Sequence, residues 1–172
     1  MDLEKLKRLR DTFEDADGAD YFTDKFRRVG EKMAERQHAA TKPYSGIPTF
    51  LDLPHREDFE GLDVALIGVP MDLGVTNRSG ARFGPRAVRT IERVGPYSHA
   101  LDEVPRAALE AADVGDVPMR SRFSLTDSIE DIEAYYRKIV AAGIIPLSVG
   151  GDHSITYPIL KAIGEKKPVG MV

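Results

Sequence analysis

Two short apolar runs, each passing into a glycine-bearing loop and then a helical stretch, constrain this chain more than any other feature. They are Val64-Ala65-Leu66-Ile67-Gly68-Val69 and Ile144-Ile145-Pro146-Leu147-Ser148-Val149. A strand with one wet face alternates apolar and polar residues; a strand covered on both faces stays apolar along its length. Both runs therefore read as core strands of a parallel sheet, the second tolerating Pro146 near its start. Ala111 to Val117 reads as a weaker strand, ended by Pro118. Pro85 suits the first position of a short helix. Asp127 caps a longer one, with Glu130 three residues on as in a capping box. Ile129, Ile132, Tyr136, Ile139 and Val140 form its apolar stripe, and Gly143 stops it. A last helix runs from about Ser154 to Ile163 and stops at Gly164, with Pro158 in its first turn, where amides lack intrahelical partners. Strands alternating with helices define an α/β class with a parallel sheet. Pro168-Val169-Gly170-Met171-Val172 starts a further strand, so residues 61–172 are read as the front part of a larger domain.

The rest of the chain is organised differently. Residues 1–36 hold ten acids and nine bases, with apolar residues at helical spacing. Residues 1–40 are thus a charged helical N-terminal extension, packing on the main domain or on a neighbouring subunit. Residues 41–60 form a Pro-rich loop anchored by Tyr44, Ile47, Phe50 and Leu51, in which regular structure is not expected. A net charge of −4 supplies no broad basic field for nucleic acid. The absence of cysteine excludes disulfides, thiolate metal sites and a cysteine nucleophile. No run approaches the ~20 apolar residues of a membrane span, and no signal peptide opens the chain. A cytoplasmic protein is expected.

Ligands of open α/β sheets sit beyond the carboxyl ends of the strands. Two loops leave such ends. Gly150-Gly151-Asp152-His153-Ser154 turns sharply and presents an imidazole beside a carboxylate. His153 is a candidate metal ligand and Asp152 a candidate support for it. The competing reading is a helix start with Ser154 as cap, Asp152 near the positive dipole end and His153 merely exposed. The other loop, Met71 to Arg86, lacks the spacing of a nucleotide P-loop or a dinucleotide fingerprint. Its Asn77 and Arg78 are candidate pocket residues, with loop bracing as the alternative. His38, His55 and His99 read as surface histidines.

At these residues the sequence resembles a known family. Val149-Gly150-Gly151-Asp152-His153-Ser154 looks like the first metal-binding signature of the ureohydrolases, the arginase/agmatinase family. Asn77 to Arg89 is similar to the loop-and-helix signature of its agmatinase branch, and Pro43 to Phe50 resembles the segment that precedes it there. The resemblance implies a three-layer α/β/α sandwich with a central parallel sheet and two metal ions, Mn2+ or alternatively Ni2+. It implies a bridging hydroxide that attacks a guanidinium carbon, releasing urea and an amine. His153 becomes the first protein ligand and Asp152 a supporting residue. The substrate is a linear guanidino compound such as agmatine, guanidinobutyrate or guanidinopropionate, and the protein a homo-oligomer, trimer or hexamer. The family's later ligands, beginning with an Asp-x-His-x-Asp motif, have no counterpart in this sequence, so one of six expected ligands can be numbered and no catalytic residue can. The alternative is a non-catalytic subunit that keeps the fold for assembly or regulation.

Overall fold

The computed structural model describes Glu4, residues 46–91, Ser98, residues 100–101 and residues 105–171. The chain divides into two compact units, Met1–Ala40 with Tyr97–Ala107, and Thr41–Pro96 with Ala108–Val172. Apart from Glu4, the charged extension read over 1–40 lies outside the described residues, as do Tyr44, His38 and His99. The second unit holds both apolar runs and the loops that leave them.

Its frame is a parallel sheet of three strands, β1 (Val64–Val69), β2 (Ala111–Asp116) and β3 (Ile145–Gly150), in the order β2-β1-β3. β1 is the central strand and is buried on both faces, as its unbroken apolar run requires. Its register with β3 is regular from Val64↔Ile145 to Val69↔Gly150; with β2 it shifts between Leu66 and Gly68. The helices are α1 (Gly84–Arg89), α2 (Pro105–Ala108), α3 (Leu125–Ala141) and α4 (Thr156–Ile163). Right-handed crossovers are the rule for parallel strands. Here the α1 crossover joins β1 to β2 and the α3 crossover joins β2 to β3.

The main core fills one face. Ala65, Ile67 and Val69 of β1 pack with Ile132, Tyr136 and Ile139 of α3 and Ile159 and Ala162 of α4. Of the stripe read from the α3 sequence, Ile132, Tyr136 and Ile139 are buried, while Ile129 and Val140 at its ends are half-buried. Tyr136 reaches the sheet with its hydroxyl 2.5 Å from Ser148 Oγ. Burial pushes this phenol up to about 12, against the opposing effect of that hydrogen bond. On the other face Leu66 packs with Phe50 and Leu53.

Several local readings are corrected. The cap of α3 is Ser124, whose Oγ accepts from the Asp127 amide at 3.2 Å, so the helix starts a turn before Asp127. Asp127 sits in the first turn, where a carboxylate complements the dipole. Within 46–57 the anchors are Phe50 and Leu53; Ile47 and Leu51 are exposed. A 3-10 turn over Phe50–Asp52, with Leu51 at φ 56°, aims Phe50 at the sheet. The segment then runs beside β2 as a single parallel bridge, His55↔Asp113. β3 is less covered than expected of a core strand, with Ile145 and Leu147 exposed on the outer edge. Residues 168–171, read as the start of a strand, are irregular and exposed.

Candidate metal-binding turn at the strand ends

The loops that leave β1 and β3 are laced together over the carboxyl ends of the strands. β3 ends in Gly150-Gly151, and the chain doubles back over β1. Gly151 has φ +77°, and a Cβ there would lie 2.4 Å from the Val69 carbonyl. Only glycine permits both the backbone conformation and the approach. Gly84, which opens α1, comes as close from the other side: a Cβ there would lie 2.2 Å from the Gly150 carbonyl. The Asp152 amide then donates to the Met71 carbonyl at 2.8 Å, and the Gly151 amide to the Ala81 carbonyl at 3.3 Å.

Asp152 is buried and its carboxylate is fully engaged. Oδ2 accepts from the Gly74 amide at 2.7 Å; Oδ1 accepts from the Ser154 amide at 2.8 Å and from the Ser154 hydroxyl. Asp152, not Ser154, is therefore the cap of the 3-10 turn His153–Ile155 that leads into α4. It also ties that turn to the loop after β1. Its support of His153 runs through the backbone, since none of these bonds goes to the imidazole. His153 itself is exposed, with Thr156 Oγ1 3.4 Å from its Nδ1.

The loop after β1 is held by a second buried carboxylate, which the sequence reading did not single out. Asp72 Oδ2 accepts from the Gly80 amide at 2.9 Å and lies 3.0 Å from Arg82 Nε. Bracing thus falls to Asp72 and Asp152. Asn77 and Arg78 are exposed and make no hydrogen bond or ion pair among the described residues, so the bracing role weighed for them is not what the structure shows. The loop is an arch: Gly74 is tied to Asp152, Ala81 to Gly151, and residues 75–79 form its lip.

A third set of charges lies away from the strand ends. Asp113, inside β2, takes the Arg89 fork through Nε at 2.7 Å and Nη2 at 2.9 Å, and accepts from the Phe50 and Gly115 amides at 2.9 Å each. Arg89 also reaches Asp116 at 2.6 Å and lies over the Phe50 ring at 4.0 Å. For Asp113 burial is the largest effect and acts to raise the carboxyl. The bonds from Arg89, Phe50 and Gly115 together with the Arg89 charge outweigh it and hold the carboxyl below its usual range. His55 donates Nδ1–H to the Asp113 carbonyl at 3.0 Å and is otherwise exposed. The signal for this cluster was present in the sequence: an acid in the middle of an apolar strand must find a partner when buried.

Among the described residues no three His, Asp or Glu side chains converge to hold an ion. His153 fits as one nitrogen donor, whereas Asp72 and Asp152 are spent on backbone amides and Arg82. The residues present therefore do not make a binuclear site by themselves. Nor is any described helix long and apolar enough to cross a membrane.

Comparison with known proteins identifies the arrangement. The profile of the arginase family matches residues 62–172. Guanidinopropionase of Pseudomonas aeruginosa is 47% identical over 75% of this chain and 41% of its own length. The mitochondrial agmatinase of Gallus gallus is 49% identical over 74% of this chain and 38% of its own. The chain thus spans about two fifths of the length of the curated relatives it matches. The solved structure of proclavaminate amidino hydrolase from Streptomyces clavuligerus superposes with a TM-score of 0.62 at 32% identity, over 73% of this chain and 42% of that one. Trypanosoma cruzi formiminoglutamase with Mn2+ superposes with a TM-score of 0.53 at 25% identity, over 67% and 39%. A parallel sheet with glycine-laced strand ends and an outward imidazole, matched by that profile over most of its length, places this chain in the arginase family.

Proposed function

We propose that the protein hydrolyses a linear guanidino compound to urea and an amine, with His153 as one ligand of a two-manganese centre. One observation carries this reading. An exposed imidazole stands on the turn that leaves the carboxyl end of β3 and is laced to the loop after β1, in a chain whose relatives are named for guanidino substrates. Manganese is favoured by the Mn2+-bound neighbour, and nickel is the competitor because it takes the same donors. Such an ion, when bound, supplies a hydroxide near neutral pH. The chain's own share is structural and electrostatic. Asp152 fixes the turn, His153 offers its ring, and Asn77 and Arg78 stand on the lip of the adjoining loop. Agmatine, guanidinopropionate and guanidinobutyrate are the substrates proposed. The same reading makes the protein a cytoplasmic homo-oligomer, trimer or hexamer, with no nucleic-acid or membrane partner.

The test is urea release from these three compounds by the whole protein in Mn2+, beside a His153→Ala variant. The expected result is urea from at least one compound and a loss of at least ~10-fold in the variant. Unchanged turnover in the variant removes His153 from the site. Failure of a metal-loaded, folded protein to release urea from any of them favours the non-catalytic subunit.

A further inference from the structure

We infer that Gly74 and Gly84 form a seat for the turn that carries His153, and that their bare α-carbons set where its ring stands. This rests on the proposed ligand role of His153 and deepens it, by naming the residues that position the ligand.

Neither glycine is needed for its backbone conformation. Both lie outside the left-handed region, and Gly84 has φ −53° and ψ −52°, helical values that any residue adopts. At the start of α1 an alanine would be the better helix former. What the two positions share is a close approach to one turn. A Cβ at Gly84 would lie 2.2 Å from the Gly150 carbonyl oxygen and 3.2 Å from its carbon. A Cβ at Gly74 would lie 2.9 Å from Ser154 Cβ, 3.0 Å from its Oγ and 3.3 Å from Asp152 Oδ1. Along the chain these contacts bracket His153, with Gly150 before it and Ser154 directly after it.

The overlaps differ in size. Non-bonded carbon atoms rest at about 3.5 Å, so a methyl group at Gly84 displaces the Gly150 carbonyl by on the order of 1 Å, and one at Gly74 displaces Ser154 by roughly half as much. The turn has little freedom to absorb this elsewhere. The Gly151 amide is tied to the Ala81 carbonyl, the Asp152 amide to the Met71 carbonyl, and the Asp152 carboxylate to the Gly74 and Ser154 amides. The displacement therefore passes to His153, whose exposed ring meets Thr156 Oγ1 at a long 3.4 Å. A binding group works only when held to within about 0.5 Å of its place. Alanine at position 84 exceeds that tolerance, and alanine at position 74 sits at its edge.

The experiment compares the whole protein as wild type, Gly84→Ala, Gly74→Ala, Gly164→Ala and His153→Ala. Gly164 is the control: it ends α4, at the far end from His153, and a Cβ there would also crowd a carbonyl, that of Leu160 at 3.0 Å. Calorimetry reads Mn2+ affinity, the ring resonances of His153 in the metal-free protein read its placement, and denaturant unfolding reads stability. Gly84→Ala should bind Mn2+ at least about 10-fold more weakly and Gly74→Ala about 2- to 5-fold more weakly, with the His153 ring resonances shifted in the same order. Gly164→Ala should keep wild-type affinity and ring resonances whatever its stability. Wild-type affinity and unmoved ring resonances in a folded Gly84→Ala protein overturn the inference, as does an equal loss of affinity in Gly164→Ala. Should Gly84→Ala fail to fold, Gly74→Ala decides by the same two readouts. Undiminished Mn2+ binding in His153→Ala instead overturns the ligand reading beneath the inference; a loss there with none in the folded glycine variants leaves that reading standing and removes the seat.

Discussion

Asp152 and Asp113 are both nearly sealed from water, at 8% and 1% exposure, yet they are kept there by opposite means. Asp113 faces a guanidinium fork that cancels its charge, with two amides filling the remaining lone pairs. Asp152 faces neutral donors alone, two amides and a hydroxyl. Amide dipoles solvate a carboxylate without cancelling it. The first arrangement binds α1 and the 3-10 turn at Phe50 to the edge of the sheet, with the buried carboxylate matched by a cation. The second laces two loops together and keeps a negative charge beside His153, where it favours a cation. The difference separates a pair that serves stability from an anion that shapes a site.

The comparison breaks most easily at the pair. Arg89→Ala leaves Asp113 buried without its cation, and removing one partner of a buried pair costs about 3–5 kcal/mol. Denaturant unfolding should show this loss, and Arg89→Lys, which lacks the fork, should recover only part of it. The same variant should lose an acid-sensitive step. Asp113 is held below its unfolded value, near ~3.9, so its contribution is complete above about pH 4 and disappears as the pH falls through the lower folded value. Unfolding measured from about pH 6 to pH 2 should therefore be less pH-dependent in Arg89→Ala than in wild type.

The amide-held carboxylate should yield less stability and more function. Asp152→Ala removes a cap and the tie to Gly74, a loss of about 2 kcal/mol. Asp152→Asn keeps an acceptor for Ser154 but turns an amide toward the Gly74 N–H, and should cost about 1 kcal/mol. If the retained charge matters, the Asn variant should still lose Mn2+ affinity by on the order of tenfold despite its milder unfolding. Equal affinity in wild type and Asp152→Asn would mean that the charge is only structural.

The sequence made the sheet legible because β1 is an unbroken apolar run buried on both faces and the middle of the α3 stripe is buried against it. It also marked the sharp turn that carries His153, since a Gly-Gly pair lets the chain double back at a strand end. It was weaker wherever an acid was buried. Asp72 and Asp152 look in sequence like ordinary polar residues, Asp113 stands out only as an acid inside an apolar strand, and the fold alone shows which amides and arginines they meet. In the Pro-rich segment Phe50 is the anchor read from the sequence, but Leu53 takes the place of Leu51 because the backbone at Leu51 turns left-handed, which hydropathy does not encode. Likewise Ser124 and Asp127 are both good caps, and the choice between them fell to the turn that Ser121 and Ser124 build before α3.

The proposed chemistry depends most on His153 being a ligand. Mn2+ binding to the whole protein, measured by calorimetry and metal content in wild type and His153→Ala, tests that without reference to substrate. The expected result is a loss of at least ~10-fold in affinity, with unfolding unchanged because the ring is exposed. Undiminished Mn2+ binding by a folded His153→Ala protein would contradict it.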